Sequence, residues 1–266
     1  MGAKLIFLGT AGDSTTMGKQ ILASGGILLQ DNETQIHIDP GPGSLVKAKE
    51  YGANIRNNDI ILVSKNSTLH GGDLNAVIDA MTLGGMDRKG VLLCCHSVVS
   101  ESETFTPLIS KTQKNNVERV IALRIGDKVG IANISISPTK TSFPEEDAVG
   151  FKIIAPKYCI GYTSNTSYAK SIAEQYKGCD ILVVNMNTSN NSEKDVESAI
   201  SLVKDAKPRL VVLTHFSVKM LKEDVLSLVR KIHKATNVQA ILAKDGLNVN
   251  VDSYAAKTRQ KSLDPF

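Results

Sequence analysis

The chain has 266 residues, 42% hydrophobic and 22% charged, a balance that fits an ordinary globular protein and excludes a wholly disordered or fibrous one. Its apolar stretches run only a few residues, far short of the roughly 20 that cross a bilayer. The first 13 residues lack the longer apolar region of a secretory signal, so a cytoplasmic protein with no membrane partner is expected. A net charge of +4, from 31 basic and 27 acidic side chains spread along the sequence, gives a mild field that permits nucleic acid without indicating it.

Short β-branched runs predict strands at Lys4–Leu8, Gly26–Gln30, Gln35–Ile38, Ile60–Val63, Val91–Cys94 and Val120–Leu123 in the first half of the chain. Further runs follow at Ile131–Ser137, Gly150–Ile154, Tyr158–Tyr162, Ile181–Asn185, Leu210–Leu213 and Val238–Ala243. Apolar residues spaced three and four apart predict helices at Gly43–Tyr51, Leu74–Leu83, Thr166–Gln175, Glu193–Ala206 and Lys222–Thr236. In the last of these, Val225, Leu228, Val229 and Ile232 form one stripe. No low-complexity linker or solenoid repeat interrupts the pattern. A strand-rich first half followed by strand–helix alternation implies layered sheets with helices outside, in one domain over residues 1–266.

Strands that run straight into polar, turn-forming stretches mark the candidate site. One is Ile36-His37-Ile38-Asp39 followed by Pro40-Gly41-Pro42-Gly43, a sequence that forces a sharp turn with Asp39 at the strand end. The second is Ile60 to Val63 followed by Ser64-Lys65-Asn66-Ser67-Thr68-Leu69-His70-Gly71-Gly72-Asp73 and the helix from Leu74. The third comprises Tyr162-Thr163-Ser164-Asn165-Thr166 and Leu213-Thr214-His215-Phe216-Ser217. The four cysteines, two of them adjacent, suit reduced thiols better than a disulfide framework. In Cys94-Cys95-His96, strand alternation would point Cys94 and His96 to one face and Cys95 to the other, which is not a zinc spacing. His37 and His233 read as structural or surface residues.

At these residues the sequence resembles the metallo-β-lactamase superfamily, and within it the archaeal and bacterial hydrolase-like branch related to ribonuclease Z. The blocks Phe7-Leu8-Gly9-Thr10, Ile38-Asp39-Pro40-Gly41-Pro42-Gly43, Gly72-Asp73-Leu74, Gly161-Tyr162-Thr163-Ser164-Asn165-Thr166, Leu213-Thr214-His215-Phe216-Ser217 and Ala243-Lys244-Asp245-Gly246-Leu247 carry the resemblance in this order. It implies an α/β fold of the αββα type, a four-layer sandwich with its pocket at one edge. It also implies zinc, iron or manganese as cofactor.

The departures bear directly on that cofactor. The family's His-x-His-x-Asp-His reads here Lys65, Asn66, Ser67, Thr68, Leu69, His70, so three ligands are replaced. No histidine stands in Thr141-Ser142-Phe143-Pro144, where the resemblance places the next one, and its bridging aspartate is Asn165. A catalytic zinc takes about three protein ligands and an open water position, and His70 with His215 supply only two. An ammonium at Lys65 and hydrocarbon at Leu69 oppose a cation. No metal is therefore expected, and His70 and His215 are the ligands if one binds. The vestigial pocket comprises Asp39, Lys65, Ser67, Leu69, His70, Asp73, Asn165 and His215, with Lys65 neutralising an acidic patch near Asp39 and Asp73.

The expected function is that of a catalytically inactive binding or interaction protein, acting as a homo-oligomer or beside an active paralogue. The alternatives are a phosphodiester or ester hydrolase with a reduced single-metal site, a metal-free enzyme using Lys65 with His70 or His215, and a sensor holding a small anion.

Overall fold

The computed structural model describes residues 2–32, 34–143, 147–189, 191–223 and 225–255. Two seven-stranded mixed sheets are present among them. The first holds β1 (Lys4–Gly9), β2 (Ser24–Asp31), β3 (Thr34–Ile38), β4 (Asn58–Val63), β5 (Val91–Cys94), β6 (Arg119–Ala122) and β14 (Asn248–Asn250), in the order β14-β1-β2-β3-β4-β5-β6. The second holds β7 (Val129–Ile131), β8 (Ile134–Lys140), β9 (Val149–Ile154), β10 (Cys159–Tyr162), β11 (Ile181–Asn185), β12 (Leu210–Thr214) and β13 (Gln239–Leu242), in the order β13-β12-β11-β10-β9-β8-β7. In each sheet one half pairs antiparallel and the other parallel, the change falling at β3–β4 in the first and β10–β11 in the second.

Burial on both faces explains the continuous apolar runs, the signature of parallel strands covered by helices. Along β11, Ile181 and Val183 join the core between the sheets, whereas Leu182 and Val184 face outward into a second cluster. β12 repeats this with Leu210 and Val212 inward and Val211 and Leu213 outward. Burying each such side chain contributes about 1.5–3 kcal/mol. The outer cluster is closed by α6 (Lys170–Gln175), α7 (Ser192–Ala206), α8 (Val218–Lys222) and α9 (Val225–Thr236). On the other side, α2 (Ser44–Glu50) and α4 (Leu74–Thr82) cover the first sheet with Ala48, Leu74, Val77, Ile78 and Met81. Helix, sheet, sheet and helix form the expected αββα sandwich. The short helices α1 (Ser14–Gly18), α3 (Thr68–Gly71) and α5 (Lys111–Asn116) lie in loops.

Several predicted elements change. Ile131–Ser137 divides into the β7–β8 hairpin, with Ala132 in the left-handed region at φ +51°. Thr166–Gln175 shortens to α6, because the Thr166 hydroxyl accepts the Ser142 amide and Ala169 is extended. Lys222–Thr236 divides as well: Lys222 ends α8, Asp224 lies outside the described residues, and α9 begins at Val225. Its predicted stripe survives, with Leu228 and Ile232 buried and Val225 and Val229 packed on the outer cluster.

Candidate functional site

The candidate residues meet where β1, β3, β4, β10, β11 and β12 end. β12 runs out at Thr214, and the Phe216 amide then donates to the Thr10 carbonyl while Gly12 donates to the Phe216 carbonyl, joining the end of β1 to the end of β12. Gly12 is required by this approach: a Cβ there would stand 2.1 Å from the His215 carbonyl oxygen. Gly41 has the same role in the turn after β3, where a Cβ would lie 2.2 Å from the Leu69 carbonyl oxygen. Asp39, Ser164 and His215, which follow β3, β10 and β12, all have positive φ, at +51°, +53° and +65°. Backbone strain of this kind persists only where surrounding contacts impose it, and it clusters at functional sites.

His70 and His215 are both buried, with ring centroids 5.0 Å apart and planes at 40°. The Ser67 hydroxyl lies 2.7 Å from His70 Nδ1 and fixes that ring. Neither Nε2 makes a hydrogen bond of acceptable geometry, and both are buried. Burial pushes the His70 imidazolium pKa down to about 3, the Lys65 charge adding and Asn165 opposing. For His215, burial, then His70, then Lys65 push the pKa well below the usual histidine value. The rings are therefore a neutral pair at physiological pH.

Asp39 belongs to an adjoining network. Its carboxylate accepts the Ser64 amide at 2.7 Å, the Ser64 hydroxyl at 2.7 Å and the Tyr162 hydroxyl at 2.5 Å. Burial dominates those three donors and raises the Asp39 pKa to about 6. The Ser164 hydroxyl donates to Ser64, and the Asn185 amide donates to Tyr162 Oη and Asn165 Oδ1. Leu69, His70, His215, Asp39, Tyr162 and Asn185 help to line a cavity of about 30 Å³, room for one water-sized guest. Wider grooves of about 640 Å³ between α7 and α9, and about 530 Å³ beside α2, are lined by none of the candidate residues.

Asp73 caps a helix. Its carboxylate accepts the Gly43 and Ser44 amides at 2.9 and 3.0 Å, which satisfies the N-terminus of α2; of the expected pocket residues, Asp39, Leu69, His70 and His215 line the cavity, and Lys65, Ser67, Asp73 and Asn165 do not. The Lys65 charge acts on both imidazoles. The Cys94–His96 geometry is corrected. β5 stops at Cys94 and a tight turn over His96–Val98 follows, leaving His96 exposed and both cysteines buried. His37 is structural, its Nε2 2.9 Å from the Gly25 carbonyl oxygen. Ser64, Tyr162 and Ser164 lie in the stretches marked from sequence without being singled out, and Asn185, at the end of β11, lies outside them; their one signal is position, at or just beyond strand ends.

The donors present do not fit the metal that the resemblance implies. Where the family has imidazoles and carboxylates, this chain has an amine at Lys65, a hydroxyl at Ser67, an aliphatic group at Leu69 and an amide at Asn165. Among the described residues, no three His, Cys, Asp or Glu side chains are grouped to hold an ion. Pro144, in the stretch expected to carry a further histidine, lies outside the described residues.

Comparison with known proteins places this architecture. A family model described as a β-lactamase superfamily domain matches residues 34–216. The uncharacterized protein MJ1374 of Methanocaldococcus jannaschii is 28% identical over 257 residues, covering 94% of this chain and 96% of the relative. Among solved structures, the metallo-β-lactamase fold protein YhfI from Bacillus subtilis superposes with a TM-score of 0.75 at 19% identity, over 94% of this chain and 99% of that one. Igni18, a metallo hydrolase from the archaeon Ignicoccus hospitalis, does so at 0.67 and 16% identity, over 94% and 98%. At these identities the two structures share the fold. The family match spans more than half of the sequence, and the chain belongs to the β-lactamase superfamily.

Proposed function

We propose that this chain has left metal-dependent hydrolysis and works as a cytoplasmic binding or interaction protein, within a homo-oligomer or beside an active paralogue. The observation that carries the reading is the donor set: two neutral imidazoles, with Lys65 close enough to bias both against a positive charge. A hydroxide nucleophile at neutral pH needs an ion to lower the pKa of water from 15.7 to about 7, and two imidazoles fall short of the three ligands a catalytic site takes. The small size of the cavity beside the rings, about 30 Å³, supports the same reading.

A second reading rests on the unpartnered Nε2 atoms of His70 and His215. They leave two ligand positions pointing toward a single-metal hydrolase for phosphodiester or ester bonds. One experiment separates the readings: metal analysis of the purified protein after dialysis against zinc, iron and manganese in turn, with turnover of a generic phosphodiester measured on the same samples. The binding-protein reading expects less than a tenth of an equivalent of metal and no turnover above buffer. Stoichiometric metal that is lost in His70→Ala and His215→Ala overturns it.

A further inference from the structure

We propose that Cys159 and Cys179 form an oxidative modification site, closing to an intramolecular disulfide that clamps the segment carrying Tyr162, Ser164 and Asn165. Their sulfurs are 3.4 Å apart and both residues are buried. None of the four cysteines is in a disulfide in this structure. A disulfide needs about 2.05 Å between sulfurs, so closure asks for side-chain rotation and a small adjustment of backbone.

The backbone already brings the two together. The Cys159 amide donates to the Asp180 carboxylate at 2.8 Å, and the Asp180 amide donates to the Cys159 carbonyl at 2.7 Å, locking the start of β10 to the residue after Cys179. Gly161 shares the strand face of Cys159, two residues on. A Cβ at Gly161 would lie 2.7 Å from Leu182 Cδ1 and from Tyr176 Cδ1 and 3.3 Å from the Cys179 sulfur, so glycine there lets these side chains and the sulfur pair pack directly on the β10 backbone. Cys94 and Cys95 serve as a contrast, their sulfurs lying against the Ile121 carbonyl and the Ser97 hydroxyl.

With a hydroperoxide as oxidant the step balances. One sulfur attacks the terminal peroxide oxygen and becomes a sulfenic acid, releasing an alcohol, or water from hydrogen peroxide. The second sulfur then attacks the sulfenic sulfur, the S–S bond forms, and water leaves. Two thiols have lost two protons and two electrons, and one O–O bond has been reduced. The neighbouring sulfur and burial hold the Cys179 thiol well above the ordinary thiol range, so the reaction is slow and proceeds through local opening of this region. The closed loop contains Tyr162 and Ser164, which join the Asp39 network from the β10 side, so oxidation stiffens that side of the site.

The test uses the folded full-length protein, incubated with hydrogen peroxide several degrees below its melting midpoint, then alkylated in denaturant and digested with trypsin. The expected product is a cross-link between peptides Tyr158–Lys170 and Gly178–Lys194, two hydrogen masses lighter than the dithiol pair. It should vanish in both Cys159→Ser and Cys179→Ser, and the melting midpoint of the oxidised protein should rise by several degrees and fall back with dithiothreitol. Recovery of both peptides as alkylated thiols or as sulfonic acids, in samples whose methionines have been oxidised, would overturn the proposal. So would a cross-link to the Cys94–Cys95 peptide instead. No activity is read, so the outcome is independent of the function proposed for the site.

Discussion

The imidazoles of His70 and His215 face each other at 5.0 Å from loops on opposite sheets, and both are neutral because burial denies them a proton. With His37, held down to about 4 by the same cause, they set the acid response of the fold. A buried histidine whose folded pKa is depressed binds its proton only in the unfolded chain, so stability falls as pH drops below about 6.5, the unfolded value. Each such ring costs up to about 1.4 kcal/mol per pH unit until its folded pKa is reached. Asp39 acts in the opposite sense: with a folded pKa of about 6 against 3.8 unfolded, it takes up a proton first in the folded state and offsets one histidine over that interval. Three histidines against one carboxylate predict a melting midpoint that drops from pH 7 to pH 5. A midpoint that stays level or rises over that range, followed by circular dichroism, contradicts the neutral pair.

Tyr162 donates to Asp39 at 2.5 Å and receives the Asn185 amide at 3.2 Å, with every partner buried or nearly so. Tyr162→Phe removes a donor to a buried carboxylate and an acceptor from a buried amide. A loss of about 1–3 kcal/mol follows, the ordinary cost of stranding buried polar groups. Urea denaturation measures it, and an unchanged midpoint would show that Asp39 finds another donor.

These two arrangements show how far the sequence could be read. The alternate burial of β11 and β12 is written in Ile181–Asn185 and Leu210–Thr214 as unbroken apolar runs, and the strand-end positions of His215 and Asp39 follow from where the runs of β12 and β3 stop. β14 was not legible: three residues, Asn-Val-Asn, carry no period, and the strand exists because Val249 pairs with Leu5. The division of Ile131–Ser137 was hidden because the turn is made by Ala132 in a conformation usually left to glycine or asparagine. Asp73 misled because an aspartate before a helix reads equally well as a site residue or a cap. It serves α2, whose amides lie 30 residues back in the chain. Tyr162 and Asn185 carry no charge, and only the packing of two sheets brings them to Asp39.

Asp13 joins two loops that local sequence does not connect. One carboxylate oxygen accepts the Thr16 amide at 2.6 Å and caps α1, and the other accepts the Val218 amide at 3.0 Å at the start of α8. Asp13→Ala is expected to cost about 1–2 kcal/mol for a lost cap and to loosen the loop that carries His215. Asp13→Asn, which keeps an acceptor for Thr16, should recover part of that loss. Equal losses in both variants would assign the effect to charge instead of capping.

If the donor set is what separates this chain from a metal centre, putting donors back should create one. Lys65→His, Ser67→His, Leu69→Asp and Asn165→Asp, combined, restore four donor positions of the family pattern around His70 and His215 and remove the ammonium that biases both rings. The αββα frame and the strained turns at Asp39, Ser164 and His215 are already in place, so the variant is expected to take up at least one equivalent of zinc where the parent retains none, with a melting midpoint that rises as zinc is added. Lys65→Ala alone removes the charge without adding a ligand, and it should raise the pKa of His70 without producing tight zinc binding. Zinc binding to Lys65→Ala as tight as to the combined variant would mean that His70 and His215 suffice once the ammonium is gone, and that the lysine, not the missing ligands, keeps metal out.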